Sequence, residues 1–435
     1  MKFGHAFQEA LAADSYPQHW VDKAIPYRQL KKILGKVREE LIKNGYDPDT
    51  LHRLLAEHNA EYRLETDASH LLRPKLVVRP NANGHHHLLE HGTEGRKSLE
   101  EVASLASSDD ADSTIHTEST HYHEEYDATT DEWVKIPLET DARFFGLLQT
   151  DVTELDTLQD EERQSMNEKI HTLGTEIAEV AKPKKGLINF SKSDLYRWRE
   201  IFELYLAAEI FFSTNEAAGG LRKSEKAQKQ LVWFQDEVNK RQLPQKFKIE
   251  SSAAAYGHFL ALNATLLQNL QFQELNQTAV TKIIKKFDKR TALGVKSTFP
   301  KAMYSAHFIS ELISKDICAQ LARQVVTLVP QVVDYSCSIC MSICWLPVRL
   351  DCDHMFCIRC MIKMQNQNKR YCPLCRAEVL QRANETHIDE KLVRYLEKWF
   401  PKETKEKQAY NEVERRKELL GDVYVSEEPP QCVVM

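Results

Sequence analysis

The chain has 435 residues, room for about two or three domains that each bury a sizeable core. Its 64 acidic and 58 basic residues nearly balance, at a formal net charge of -6, which excludes bulk nucleic-acid binding through a chain-wide basic field. No apolar run approaches the ~18 residues of a membrane helix, and the amino terminus has neither a signal-length apolar segment nor a Gly at position 2 for myristoylation, so a cytoplasmic protein is expected.

The first sixty residues predict two helices. In the first, "PYRQLKKILGKVREELI" puts Leu30, Leu34, Val37 and Leu41 on one face, and Asn44-Gly45 ends it. From 81 to 130 the composition turns to Asn, Gly, His, Ser, Thr and Asp, which reads as a disordered insertion. His85, His86 and His87 within it are read as a feature of that composition rather than as ligands. Helical patterning resumes at Phe144 and runs through "DLYRWREIFELYLAAEIFF" and "SAAAYGHFLALNATLLQNLQFQELN", with breaks at Gly219-Gly220 and Pro244. The lengths and the scarcity of β-branched alternation predict an elongated, mainly α bundle.

The stretch "TKIIKKFDKR" then sets five cations in ten residues. Val280, Ile283, Ile284 and Phe287 recur at i, i+3, i+4, i+7 and form an apolar stripe. Lys282, Lys285, Lys286 and Lys289 repeat that spacing on the opposite face. Such a run is usually a solvated face. Here like charges at i, i+4 repel by roughly 0.2–0.5 kcal/mol per pair, and only Asp288 lies among them, so a polyanionic partner is expected.

Another helix, "MYSAHFISELISKDICAQLARQV", leads to a cysteine cluster. Eight of the ten cysteines lie between Cys337 and Cys375, in the order "CSIC", eleven residues, "CDHMFCIRC", eleven residues, "CPLC". Three Cys, one His and four Cys suffice for two tetrahedral zinc sites with no open position, and such closed sites are structural. Cys344 and Cys318 are spare. "DEKLVRYLEKWF" is a short amphipathic helix, and a charged tail follows it.

The amino-terminal "MKFG", the "YRQLKK" helix, the "FF" at Phe144-Phe145 and "LNQTAVTKIIKKFDK" resemble the SPX domain over 1–297. That resemblance implies a helical sensor of cellular phosphate status, with inositol polyphosphates and pyrophosphates bound on a basic surface. Carried over residue by residue, the phosphate-binding cluster falls on Tyr27, Lys31 and Lys286, and a neighbouring lysine cluster on Lys282, Lys285 and Lys289. Ammonium groups suit many phosphate geometries as point charges, and a tyrosine hydroxyl adds a directional hydrogen bond.

The cysteine spacing in 335–385, after a helical linker over 298–334, is similar to a RING finger of the C3HC4 type. The resemblance implies a cross-brace: one zinc on Cys337, Cys340, Cys357 and Cys360, the other on Cys352, His354, Cys372 and Cys375. It also implies recruitment of a ubiquitin-conjugating enzyme carrying ubiquitin, and transfer to a substrate without a covalent RING intermediate. Ile339, Pro373, Leu374 and Met364 fall where the family docks the conjugating enzyme, Met364 standing where Trp is frequent. Arg376 matches the linchpin cation that hydrogen-bonds both ubiquitin and that enzyme.

Together the two modules resemble the SPX-RING proteins of plants and fungi, whose plant members promote degradation of phosphate transporters. The implied activity is a RING-type ubiquitin ligase regulated by an inositol phosphate, with a phosphate transporter as a candidate substrate. The alternative is a non-catalytic scaffold that senses phosphate status by binding proteins. Nucleic acid is not an expected partner, because no aromatic platforms interleave with the lysines. In the tail over 386–435 the last four residues, Cys432-Val433-Val434-Met435, have the C-a-a-X form and look like the ends of Ras-type GTPases. Farnesylation of Cys432 is expected, with peripheral membrane association that one lipid chain makes only marginal.

Overall fold

Leu30, Leu34, Val37 and Leu41 are each no more than 1% exposed and form the buried face of α3 (Tyr27–Lys43), as their spacing predicts. The computed structural model describes residues 3–13, 16–66, 72–79, 133–183, 193–213, 220–297, 299 and 310–420. The stretch 81–130, with His85, His86 and His87, and Cys432 lie outside the described residues. The fold is mainly α, with small sheets. It packs as two units, Met1–Ser165 with Leu266–Ser314, and Met166–Thr265 with Lys315–Met435.

The first unit opens with α1 (Phe3–Ala13) and the single turn α2 (Gln18–Asp22), so four helices rather than two precede residue 60. Both owe their place to aromatic anchors. Phe3 meets the Tyr27 ring edge-on at 4.9 Å. A Cβ on Gly4 would come within 3.2 Å of Tyr27 Cδ1, so the small residue lets α1 lie against α3. Trp20, 1% exposed, donates from Nε1 to Glu162 at 2.9 Å. α4 (Pro48–Ala56) follows, capped by the Asp47 carboxylate on the amides of Asp49 and Thr50.

A three-stranded antiparallel sheet comes next, β1 (Ala60–Thr66), β2 (Leu72–Val78) and β3 (Val134–Ile136). It was not expected, although "AEYRLET" alternates as a half-buried strand does: Ala60 and Tyr62 are buried, while Glu61, Arg63 and Glu65 are not. β2 pairs directly with β3, from Leu76↔Ile136 to Val78↔Val134, so the stretch expected to be an insertion is the connection between neighbouring strands. α5 (Glu139–Ala181) starts under the Glu40 carboxylate, which accepts from the amides of Glu139 (2.8 Å) and Thr140 (2.9 Å).

α5 and α8 (Glu250–Thr291) contribute residues to both units. In the first, Phe144 and Phe145 from α5 meet Phe287 from α8 at 5.1 and 5.0 Å between centroids. Val280, Ile283, Ile284 and Phe287 are all buried there, so the predicted stripe is real. Asp288 has a further task. Its carboxylate accepts from the amides of Val295 (2.6 Å) and Lys296 (2.8 Å), bracing the turn in which Ala292 and Gly294 have positive φ.

The second unit holds α6 (Leu195–Ala208), the two-residue strands β4 (Phe212–Ser213) and β5 (Gly220–Leu221), α7 (Ser224–Lys240) and the first turns of α8. Buried Asp194 fixes the entry to α8, accepting from Lys248 N (2.9 Å), Ile249 N (3.0 Å) and Ser252 Oγ (2.7 Å). α9 (Ser310–Gln324) leads to the cysteine module, built from β6 (Pro347–Arg349), β7 (Met355–Cys357) and α10 (Ile358–Asn366). After α11 (Glu390–Trp399), the start of the expected charged tail is a further helix, α12 (Pro401–Leu420). Its buried residues are Thr404, Lys407 and Asn411, so hydrophobic periodicity carried no sign of it.

Candidate metal centres and a cation-lined cleft

The β6–β7 hairpin pairs Pro347 with Cys357 and delivers that cysteine to the first Cys-x-x-Cys loop. Cys357 N donates to Cys337 Sγ at 3.5 Å. The first and last of the three Cys-x-x-Cys loops close in the same way. Met341 N donates to Cys337 O (2.8 Å) and Arg376 N to Cys372 O (2.9 Å), and the donating residue has φ of 56° and 62° respectively. A left-handed residue after each second cysteine turns the chain sharply enough for two sulfurs to face one point.

Two groups of ligand atoms result: Cys337, Cys340, Cys357 and Cys360, and Cys352, His354, Cys372 and Cys375, each within 4.8 Å of one another. The groups interleave along the chain, which is a cross-brace. His354 Nδ1 is buried without a hydrogen-bond partner among the described residues, which suits a nitrogen reserved for a metal. With four thiolates, or three and an imidazole, both donor sets fit a structural Zn2+ ion. Cys344 is buried beside the first centre, and its thiol is pushed up by a hydrogen bond to Cys337 and by burial, so it remains a neutral thiol. Cys318 is held up by burial alone.

The expected docking residues separate. Ile339 and Leu374 are 43% and 54% exposed, one in the first Cys-x-x-Cys loop and one in the last, and Pro373 and Arg376 are exposed with them. Met364 corrects the expectation. It is 4% exposed and packs in the module core with Val348, Phe356 and Leu380, because the buried face of α10 carries it inward with Cys360 and Met361. Exposed Met341 and Tyr371 were not anticipated; each is a large apolar side chain next to a ligand cysteine.

In the first unit, Tyr27, Arg38 and Pro48 face Lys282, Lys285, Lys286, Lys289 and Arg290 across a cleft of ≈ 570 Å³ with no carboxylate among its described lining residues. Lys31 sits one turn beyond Tyr27 on α3, half-buried, but does not line that cleft. Lys282 Nζ lies 5.9 Å from the Phe3 ring centroid, so α1 closes one side. Burial raises the Tyr27 hydroxyl pKa and the nearby Arg290 guanidinium partly offsets this, which keeps the phenol a donor. Arg38 and Arg290 were missed, though both carried a signal. Arg290 is i+4 from Lys286, and Arg38 at i+11 from Tyr27 returns to within about 20° of its face.

The comparisons agree with this geometry. The SPX domain model matches residues 1–303, and the model for the zinc finger of C3HC4 type (RING finger) matches 337–375. "Transcriptional regulator of yeast form adherence 3" of Candida albicans is 32% identical over 100% of both chains. An uncharacterized RING finger protein of Schizosaccharomyces pombe is 32% identical over 95% of this chain and 96% of its own. A breast cancer type 1 susceptibility protein homolog of Rattus norvegicus is 45% identical over 49 residues, 11% of this chain and 3% of its own. No solved structure matches. Among the described residues no helix is long and apolar enough to cross a membrane.

Proposed function

The chain belongs to the family that joins an SPX domain to a C3HC4 RING finger, and from that premise we propose that it is a RING-type ubiquitin ligase regulated by an inositol polyphosphate or pyrophosphate. The observation that carries the ligase reading is the exposure of Ile339 and Leu374. Exposed apolar side chains mark interaction sites when they gather in a patch, and here two zinc loops each expose one, with the exposed Arg376 directly after the second loop. Zinc, when bound, supplies cross-links only, because neither centre has an open position. The protein's own part is positional. Ile339, Pro373 and Leu374 hold the conjugating enzyme, and Arg376 donates hydrogen bonds to it and to ubiquitin. The thioester is thereby fixed near attack geometry and the entropic part of the barrier falls.

The regulatory part rests on the cleft. Six cations gathered with Tyr27 in one cleft form a site for a ligand with several phosphates, Tyr27 giving direction and Lys282, Lys285, Lys286 and Lys289 giving charge. Phosphate homeostasis is the process this ligand would report, with a phosphate transporter as substrate. Farnesyl on Cys432 would bring a cytoplasmic ligase to membranes; mass spectrometry that finds Val433–Met435 still attached in cells removes that part alone. The name of the Candida albicans relative, a transcriptional regulator, favours a second reading, a RING scaffold in gene regulation without ubiquitin transfer. Reconstitution with conjugating enzyme, ubiquitin and ATP separates the two. Ubiquitin chains whose yield changes with inositol hexakisphosphate support the ligase; none with any of a panel of conjugating enzymes supports the scaffold.

A further inference from the structure

The first metal centre has a neighbour that lies outside the matched zinc finger. Lys407, on α12, is 7% exposed, and its Nζ lies 3.5 Å from Cys340 Sγ and 3.4 Å from Ser342 Oγ. Its remaining contact is the Tyr410 ring, 4.9 Å away at the centroid, and no carboxylate lies within ion-pair distance of it among the described residues. A buried ammonium without a carboxylate is costly. Four thiolates around one divalent ion leave a net negative charge, which is costly for the same reason. Each is the other's missing partner.

We propose that Lys407 is a positioning residue for the Cys337/Cys340/Cys357/Cys360 centre, its ammonium balancing the tetrathiolate and holding Cys340 in the ligand set. Charge-assisted hydrogen bonds to a ligand atom fix its orientation and hold it in place. The second centre has a smaller excess, because His354 replaces one thiolate with a neutral ring. α12 is therefore part of the zinc module: it carries the counter-charge inward, and Arg359 on α10 anchors the same helix through Asn411 O (3.2 Å) and Glu418 (2.6 Å). The proposal needs the metal reading of the cluster and is independent of ubiquitin transfer.

The test uses the full-length zinc-loaded protein, a chromogenic chelator in excess, and Co2+ substitution. In Lys407→Met one of the two zinc ions leaves about 10- to 100-fold faster than in the wild type. Lys407→Arg, which keeps the charge and a donor, stays near wild type, and the exposed-site control Lys402→Met is unchanged. The sulfur-to-cobalt charge-transfer band of the all-cysteine centre shifts in Lys407→Met, while the bands of the histidine-containing centre stay fixed. Wild-type release from Lys407→Met overturns the proposal. So does equal acceleration of both ions together with loss of helicity, which marks a lysine that merely packs α12. If Lys407→Met folds poorly, adding Cys340→His restores folding, because a neutral ligand lowers the net negative charge of the centre; absence of rescue also overturns the proposal.

Discussion

The guanidinium of Arg199 lies 4.3 Å from the centroid of the Phe400 ring, the residue between α11 and α12. It is 7% exposed and donates to Pro330 O (3.0 Å), Glu403 Oε1 (3.1 Å) and Trp399 O (2.7 Å). Tyr196 completes the arrangement, donating to Glu403 Oε2 and accepting from Lys402 N, both at 3.1 Å. One helix of the bundle thus satisfies the backbone at the α11–α12 junction and, within this unit, holds the zinc module by a planar, stacked cation.

Arg199→Ala leaves Glu403 Oε1 and two carbonyls without the Arg199 donor. Removing one partner of such a pair costs about 3–5 kcal/mol. Lys is not a substitute, since it lacks the fork and the stacking plane. Urea denaturation is expected to show both variants destabilised, Arg199→Lys by nearly as much as Arg199→Ala. A near-wild-type midpoint for Arg199→Lys shows that charge alone suffices.

Asp141 gives the protein a pH-dependent stability term. The carboxyl is buried under the sheet, accepts one hydrogen bond from Tyr62 Oη at 3.0 Å, and is pushed up to about 7, chiefly by burial. A folded-state value above the unfolded one means the native state binds the proton more tightly. The contribution is therefore full below about pH 4, falls as pH rises, and is gone above the folded value near 7. Asp141→Asn removes the ionisation and keeps an acceptor for Tyr62. It should be more stable than wild type at pH 8, by more than any difference at pH 5. Parallel pH profiles of the two proteins rule this assignment out.

The cleft yields a graded expectation. A hydrogen bond to a charged group is worth about 1.5–3 kcal/mol, so Lys286→Ala or Arg290→Ala should each weaken inositol hexakisphosphate binding about tenfold or more. The triple variant Lys282→Ala, Lys286→Ala, Lys289→Ala should abolish it with helicity intact. Calorimetry showing unchanged affinity for the triple variant removes the site. Lys31→Ala discriminates further: Lys31 does not line the cleft, so a loss as large as for Lys286 means the ligand reaches beyond it.

What the sequence made legible depended on which property buried each residue. Apolar spacing announced α3 and the stripe of α8, because burial there is hydrophobic and periodic. The ligand order announced the zinc centres, since metal coordination ties few residue types to short spacings. The sheet escaped notice because its strands flank the polar stretch between β2 and β3 and are only seven, seven and three residues long. α12 escaped because it buries Lys407 and Asn411, which sequence reading counts as surface. Met364 was misplaced for the opposite reason: an apolar residue at a docking position looks the same in sequence whether it points out or in.

Arg376 permits a separation of stability from transfer. Its φ of 62° places a non-glycine residue in the left-handed region, which costs about 1–2 kcal/mol that glycine does not incur. Glycine loses roughly 0.5–1 kcal/mol through the greater freedom of its unfolded chain. Arg376→Gly should therefore fold with two bound zinc ions and be as stable as wild type or slightly more so. Cys352→Ser, by contrast, removes one of the four candidate ligands of the second centre and should unfold the module, because metal binding and folding are coupled in structural zinc sites. In discharge of a ubiquitin-loaded conjugating enzyme to free lysine, both variants should be slow, but only Cys352→Ser should also lose zinc. Wild-type discharge by Arg376→Gly, with both zinc ions retained, means that Arg376 is an exposed cation with no part in transfer.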